Sequence, residues 1–115
     1  MLRLVLLVTR EGLGNVPAAD HQFGLEMFDR FLHAFETQPL KPQAICFYTD
    51  GVKLVCQGSP ALLGLRLLEG QGVRLVACRT CLDHFGLSDK VAVGEVVGMN
   101  DIVRLLTEAD KVVTV

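Results

Sequence analysis

Two cysteines separated by two residues, Cys78 and Cys81, are the side chains of this sequence best suited to chemistry. A thiol reacts as the thiolate, and a helix N-terminus or a neighbouring cation lowers its pKa from about 8.5 toward neutrality. If a helical turn starts near Thr80, its free backbone N–H groups face a sulfur anion, and Arg79 adds a positive charge. The spacing therefore predicts a nucleophilic thiol centre at Cys78 and Cys81, supported by Arg79 and Thr80.

Other interpretations of the pair stay open. Cys56, Cys78, Cys81 and His84 offer four ligands for tetrahedral zinc, although structural zinc usually has two paired ligand motifs. A thioredoxin-like motif normally follows the first strand of its fold, whereas this pair follows the third predicted strand. Cysteines at a strand end can also be small core residues. His84 can serve the thiols as an acid, a base or an anion-binding donor, or be a lone surface histidine. We expect folding without a metal, and thiol chemistry without an organic cofactor.

Short aliphatic runs alternate with amphipathic segments, and these elements must position the thiols. The aliphatic runs predict five strands, at residues 2–8, 44–48, 73–77, 91–93 and 112–115. Apolar spacings of three and four predict helices at about 20–35, 60–69 and 99–106, with a short helical turn at 82–85. Asp20, Ser59 and Asn100 or its neighbour are the expected helix caps. Cys46 alternates inside a strand and is expected in the core.

Strands that alternate with helices imply right-handed crossovers and a mainly parallel five-stranded sheet with helices on both faces. Ligands and reactive groups in such α/β sheets gather at the loops that follow the carboxyl ends of the strands. Three loops meet this description, at residues 9–15, 49–59 and 78–85, and two of them contain cysteine. Cys56 is therefore a candidate to approach the pair. Gly12-Leu13-Gly14 lacks the third glycine and the lysine of phosphate-binding motifs, so a turn is expected there.

Length and composition limit the possible classes of protein. The 115 residues fit a single domain, 1–115, and no stretch approaches the roughly 20 apolar residues of a membrane span. The first residues form a short run with Arg3 inside it, which favours a strand over a signal sequence. A net charge of −2 without a basic patch disfavours nucleic acid or an anionic membrane as partner. Four cysteines without an export signal favour the reducing cytoplasm, and 50% apolar residues permit a homo-oligomer.

Several short segments together resemble the DsrE/DsrF-like family, and more narrowly the C-terminal domain of YedF-type, sulfurtransferase-like proteins of selenium metabolism. The matching segments are Gly12-Leu13-Gly14, Asp50-Gly51-Val52-Lys53-Leu54, Gly58-Ser59, Leu68-Glu69, Gly72-Val73, Cys78-Arg79-Thr80-Cys81-Leu82-Asp83, Phe85-Gly86-Leu87, Val93-Gly94-Glu95-Val96 and the ending with Met99, Ile102 and Ala109-Asp110-Lys111-Val112. The segment from Cys78 to Asp83 is the most specific of these. The resemblance covers nearly the whole chain.

The resemblance implies a DsrE-like fold, commonly assembled as trimers or hexamers, that handles sulfur, with a possible extension to selenium, as a protein-bound persulfide. In the sulfur-relay members the reactive cysteine follows the third strand, which here is Cys78. Cys81 belongs to the YedF-like version of the motif, and Arg79 stands where that motif usually has glycine. The TusA-like carrier domain of YedF-type proteins is absent from the 115 residues, so we expect protein donors and acceptors, such as a TusA-like carrier, to act in trans. The alternative is a non-enzymatic oligomeric binding module whose cysteines sense redox state or bind a metal.

Overall fold

A five-stranded parallel sheet forms the centre of the molecule in a computed structural model that describes residues 2–115. The strands lie in the order β4-β3-β2-β1-β5, and all four pairings between them are parallel. Their bounds are β1 Leu4–Val8, β2 Ala44–Phe47, β3 Arg74–Cys78, β4 Glu95–Val97 and β5 Lys111–Thr114. The predicted α/β class and five-stranded sheet are confirmed, and the pairing is parallel throughout instead of mainly parallel.

Four α-helices connect the strands: α1 His21–Glu36, α2 Leu62–Gly70, α3 Arg79–His84 and α4 Met99–Glu108. Short 3₁₀ helices lie at Ala18–Asp20 and Thr49–Val55, and the second is called the 3₁₀ segment below. The chain moves along the sheet from β1 to β4 and then returns past β1 to β5. Right-handed crossovers therefore place α1 and α2 on one face, where they pack together, and α4 on the other.

The core is aliphatic because β1 and β2 are buried on both faces of the sheet. Each helix contributes a stripe of apolar residues spaced three or four apart. These stripes include Phe28 and Leu32 from α1, Leu65 and Leu68 from α2, and Ile102 and Leu105 from α4. This packing fixes the strands in register, so the carboxyl ends of β1, β2 and β3 meet at one edge of the sheet.

Some predicted elements lie elsewhere. The fourth strand was expected at 91–93, but β4 begins at Glu95, where the Arg74 side chain on β3 bonds to the Glu95 carboxylate. Val91 forms an isolated antiparallel bridge with Cys56, and Gly94, at φ +78°, turns the chain between that bridge and β4. Part of the loop predicted at 49–59 is the 3₁₀ segment.

Only one of the predicted caps has the predicted position, since the N-cap of α2 is Ala61 instead of Ser59. Asp20 occupies the N-cap of α1 but makes no side-chain bond there. Ser59 accepts a hydrogen bond from the Ala61 N–H at 3.1 Å, just before α2 begins at Leu62. The N-cap of α4 is Gly98 instead of Asn100. None of the helices between residues 2 and 115 has the length and apolarity needed to cross a membrane.

Candidate thiol site

Cys78 is the last residue of β3, and α3 begins at the next residue. The short helix was expected over 82–85 with a turn starting near Thr80, so it begins earlier than predicted and no loop separates it from the strand. Cys78 is only 1% exposed, and although it occupies the N-cap position its side chain makes no capping hydrogen bond. The predicted stabilisation of a Cys78 sulfur anion by the first N–H groups of α3 is therefore not observed.

Cys81 lies in the first turn of α3 and is half-buried. The Cys78 thiol is near enough to Cys81 to raise the pKa of the Cys81 thiol. The structure thus brings Cys78 and Cys81 together, with one sulfur enclosed and the other nearer the surface.

Thr49 supplies the hydrogen-bond donor of this site. Its backbone N–H donates to the Cys81 sulfur at 3.1 Å, across 32 residues of sequence. Its hydroxyl lies 2.7 Å from the carbonyl oxygen of Thr9 and 2.7 Å from that of Tyr48. The loops after β1, β2 and β3, all predicted to border the functional edge, therefore meet through one residue that the sequence did not single out.

The backbone of Thr49 is strained. Its φ is 49°, and it is the one non-glycine residue with positive φ among residues 2–115. A β-branched residue rarely adopts this conformation, which costs about 1–3 kcal/mol and persists only where the surroundings impose it. At Thr49 the surroundings include the two carbonyl groups that face its hydroxyl.

Gly51 explains how closely the 3₁₀ segment approaches β1. A Cβ atom at Gly51 would lie 2.2 Å from the carbonyl oxygen of Val8, so only glycine fits there. The N–H of Tyr48 donates to that same Val8 carbonyl at 3.2 Å, and the N–H of Gly51 donates to the Tyr48 carbonyl at 3.1 Å. Thr49 is held between these bonds, with its N–H directed at β3 and α3.

Burial is the main influence on the acidity of Cys81 and raises the pKa of its thiol. The Thr49 N–H acts in the opposite direction and lowers the pKa, while the neighbouring Cys78 thiol raises it further. The predicted lowering of the thiol pKa is wrong for Cys81. Arg79 does not contribute, since its guanidinium donates to the Val96 carbonyl oxygen on β4 at 3.5 Å.

An open cleft of about 360 Å³ gives access to Cys81, and its walls are mainly apolar. Its other lining residues are Thr49, Thr80, His84 and Phe85. The His84 ring lies edge-on to Phe85, with ring centroids 5.0 Å apart. Thr80 and His84 therefore border the thiol as predicted, although neither is bonded to the sulfur.

Lys53 joins the 3₁₀ segment to the wall of this cleft. Its ammonium group lies 4.4 Å from the centroid of the Phe85 ring and forms an ion pair with Asp50 at 2.9 Å. A cation over an aromatic face contributes about 0.5–1 kcal/mol at an exposed site. This contact helps to keep the 3₁₀ segment against α3.

Cys56 and Cys46 lie apart from the pair. Cys56 is 3% exposed, its thiol donates to the Val52 carbonyl at 3.3 Å, and it lines a different cavity with Lys53 and Leu87. Cys46 is in the core, as predicted. No group of three or more histidine, cysteine or acidic side chains suited to a metal ion occurs between residues 2 and 115. The four ligands considered for zinc are therefore not gathered at one point.

The fold and the site define a class of α/β protein, in which a parallel sheet carries a thiol pair at its carboxyl edge. A family model described as "DsrE/DsrF-like family" matches residues 13–115. The chain belongs to the DsrE/DsrF-like family.

Solved structures of similar fold cover the whole chain or nearly so. The ychN protein from E. coli is 20% identical with a TM-score of 0.69, each chain being covered completely. MTH1491 from Methanobacterium thermoautotrophicum, a protein of unknown function, is 21% identical with a TM-score of 0.70 and the same complete coverage. BT1422 from Bacteroides thetaiotaomicron, also of unknown function, is 16% identical with a TM-score of 0.65, over 96% of this chain and 94% of that one. No curated protein sequence matches the chain. At these identities the structures establish the fold alone.

Proposed function

We propose that this protein is a sulfur carrier, or a sulfurtransferase-like protein, that holds sulfane sulfur as a persulfide on Cys78, with Cys81 as its partner thiol. The observation that carries the proposal is an enclosed thiol, Cys78, near enough to the cleft-lining thiol of Cys81 to raise its pKa, while the Cys81 sulfur accepts a backbone N–H. Membership of a family linked to sulfur relay supports it. The segment from Cys78 to Asp83 further supports a place beside the YedF-type proteins.

Loading is a thiol exchange. The Cys78 thiolate attacks the terminal sulfur of a donor persulfide, a new S–S bond forms on Cys78, and the donor leaves as a thiolate that takes up a proton. Delivery is the same reaction with an acceptor thiolate as the attacking group and Cys78 as the leaving group. Electrons balance in both directions, so no organic cofactor is needed. Because Cys78 is buried, loading requires movement of the first turn of α3, which borders the cleft.

Cys81 limits the lifetime of the persulfide. Its thiolate can attack the Cys78 sulfur, forming a Cys78–Cys81 disulfide and releasing hydrosulfide. Because burial raises the pKa of Cys81, its thiolate is disfavoured and this attack is slowed. The enclosed position of Cys78 also shields the persulfide from external thiols.

The proposed donor and acceptor are proteins that act in trans, and a TusA-like carrier is the first candidate. The proposed cargo is sulfur or selenium, and the proposed compartment is the cytoplasm. A homo-oligomer, as trimer or hexamer, is part of the proposal. Its physical support is a set of large apolar side chains that remain exposed in pairs spaced by four residues, namely Leu63 and Leu67 on α2 and Met99 and Val103 on α4.

The test is intact-protein mass after incubation with a low-molecular-weight persulfide donor, with and without reductant. We expect one reductant-sensitive adduct of a single sulfur atom on the wild type and none on Cys78→Ser. Cys81→Ser should accumulate the adduct because the resolving thiol is gone. Cys56→Ser is the matched control, since it removes a thiol that lies in another cavity, and its adduct should equal that of the wild type.

Loss of the adduct in Cys81→Ser together with its persistence in Cys78→Ser would reverse the two roles. Absence of an adduct in every variant would favour the other candidate function, a non-enzymatic oligomeric module. The raised pKa of Cys81 and the exposed apolar pairs on α2 and α4 are the observations in its favour. Light scattering then decides whether an oligomer exists, and a strict monomer at high micromolar concentration would contradict that part of both proposals.

A further inference from the structure

The Thr49 N–H is aimed at Cys81 by three separate contacts of the 3₁₀ segment. The Thr49 hydroxyl lies 2.7 Å from the Thr9 carbonyl oxygen at the end of β1. Gly51 lies against the Val8 carbonyl so closely that a Cβ atom there would come within 2.2 Å of its oxygen. Lys53 rests on the Phe85 ring, next to the cleft. A donor held in this way changes direction little when charge appears on its acceptor.

The left-handed φ of Thr49 sets where its side chain lies relative to its own N–H. With φ at 49°, the hydroxyl lies 2.7 Å from the Thr9 carbonyl oxygen while the N–H donates to the Cys81 sulfur at 3.1 Å. Backbone strain of this kind collects at functional sites and is maintained by the surrounding structure. A glycine would adopt the same φ without strain, yet it would lack the hydroxyl that bonds to Thr9.

We propose that Thr49 is the positioning residue of the thiol pair, whose hydroxyl holds its own backbone N–H as the donor to negative charge on the Cys81 sulfur. A fixed N–H donor that faces developing charge stabilises it without reorganisation. The proton of Cys81 leaves to solvent through the cleft, and the N–H remains on Thr49. The consequence for sulfur release rests on the proposed function, whereas the effect on the Cys81 thiolate does not.

The pH dependence of Cys81 alkylation by iodoacetamide, followed by peptide mass spectrometry without any sulfur donor, tests this role. Thr49→Val keeps the size and β-branch but removes the hydroxyl, so the N–H loses the one of the three contacts that Thr49 itself makes. We expect the midpoint of its profile to rise by about one pH unit, which makes alkylation about tenfold slower below the midpoint. Thr49→Ser, which keeps the hydroxyl, should retain the wild-type midpoint. A Thr49→Val profile identical to the wild type would overturn the proposal.

The other titratable and charged groups around Cys81 are unchanged in both variants, so the midpoint reports on Thr49. These groups are Cys78 on β3 and His84 on α3, together with the Asp50–Lys53 ion pair, whose ammonium group lies over the Phe85 wall of the cleft.

If Thr49→Val fails to fold, the pH dependence of the Thr49 amide resonance in the wild type tests the proposal instead. We expect this resonance to shift with the deprotonation of Cys81 and to lose that shift in Cys81→Ser. An amide resonance that does not follow Cys81 would reject the role of Thr49. A failure to form the persulfide adduct would reject only the sulfur-carrier function, because neither measurement here involves a sulfur donor.

Discussion

Cys56 and Cys81 occupy comparable places in the fold but have opposite hydrogen bonds. Cys56 ends the 3₁₀ segment that follows β2, and Cys81 lies in the helix that follows β3. The Cys56 thiol donates a hydrogen bond to the Val52 carbonyl oxygen at 3.3 Å, whereas the Cys81 sulfur accepts a hydrogen bond from the Thr49 N–H at 3.1 Å. Burial raises the pKa of both thiols, but only Cys81 has a donor that lowers it.

The comparison shows that a position beyond a strand end does not by itself determine the hydrogen bond that a thiol makes. A hydrogen bond that uses the S–H proton stabilises the neutral form, and one that offers a proton to sulfur stabilises the thiolate. The same 3₁₀ segment provides both partners, with Thr49 at its first residue and Val52 three residues later. One short segment of backbone therefore gives the two thiols opposite hydrogen bonds.

The largest expected effect comes from Gly51→Ala, which disturbs the segment that serves both thiols. The added Cβ atom would lie 2.2 Å from the Val8 carbonyl oxygen, so the backbone must move. Because overpacking of a close contact typically costs 1–3 kcal/mol, we expect about 2 kcal/mol less stability in urea denaturation. Cys81 alkylation should change as well, because Thr49 moves with Gly51.

Gly70→Ala is the matched control for this substitution. Gly70 ends α2, and an added Cβ atom there meets nothing within 4 Å. Its stability should equal or exceed that of the wild type, since alanine favours a helix. Equal stability of the two alanine variants would show that the backbone of the 3₁₀ segment moves at little cost in free energy. The segment would then not hold the hydrogen-bond partners of Cys56 and Cys81 rigidly.

The relative alkylation of the two thiols tests the comparison directly. At pH 8 we expect Cys81 to react with iodoacetamide at least about tenfold faster than Cys56, because Cys81 borders the open cleft and has the N–H donor. Peptide mass spectrometry of a time course gives both rates from one sample. In denaturant the two rates should become equal. Equal rates in the folded protein would instead mean that hydrogen-bond direction has no consequence for reactivity.

The smallest expected effect is a loss of stability at alkaline pH caused by Cys46. This buried thiol has neither of the two kinds of hydrogen bond described above, so its pKa shows the effect of burial. Burial raises the pKa of Cys46 from 9.0 to about 11, with the charge of Arg74 acting against it. A raised folded-state pKa means that the native chain keeps a proton which the unfolded chain loses, so stability falls as pH rises from about 9 to about 11. At pH 10 the loss amounts to about 1 kcal/mol.

Denaturation at pH 8 and pH 10 measures this loss, and Cys46→Ala isolates it from the lysine and tyrosine titrations of the same range. The variant should be less stable at both pH values, because a buried side chain is shortened, but should show the smaller drop between them. An unchanged drop in Cys46→Ala would assign the alkaline loss to other groups.

Much of the fold could be predicted because most of its elements have strong local patterns. The aliphatic runs of β1, β2 and β3 and the apolar stripes of α1 and α4 determine both the type and the order of the elements. The fourth strand was misplaced since β4 has three residues and one of them, Glu95, is exposed. Its position depends on the bridge from Val91 to Cys56 and on pairing with β3, which are tertiary interactions without a local signal.

The thiol site could be predicted in its residues but not in its geometry. Two cysteines three residues apart after a strand predicted a thiol pair at the carboxyl edge of the sheet, and the structure places both thiols there. That one thiol is enclosed and the other borders a cleft depends on the direct entry of β3 into α3. The role of Thr49 was invisible because its φ of 49° contradicts the preference of a β-branched residue, and its partner Cys81 is 32 residues away.

The pairing of β1 with β5 also has a consequence for the nascent chain. Residues 4–7 of β1 pair with residues 111–114, so one edge of β1 stays open until residues 111–114 have left the ribosome. Thr9, Thr49, Cys78 and Cys81 emerge earlier, and the strands beside them can pair before β5 exists. An unpaired strand edge can pair with other chains. The protein is therefore most prone to aggregate before β5 emerges, when the thiol centre can already be assembled.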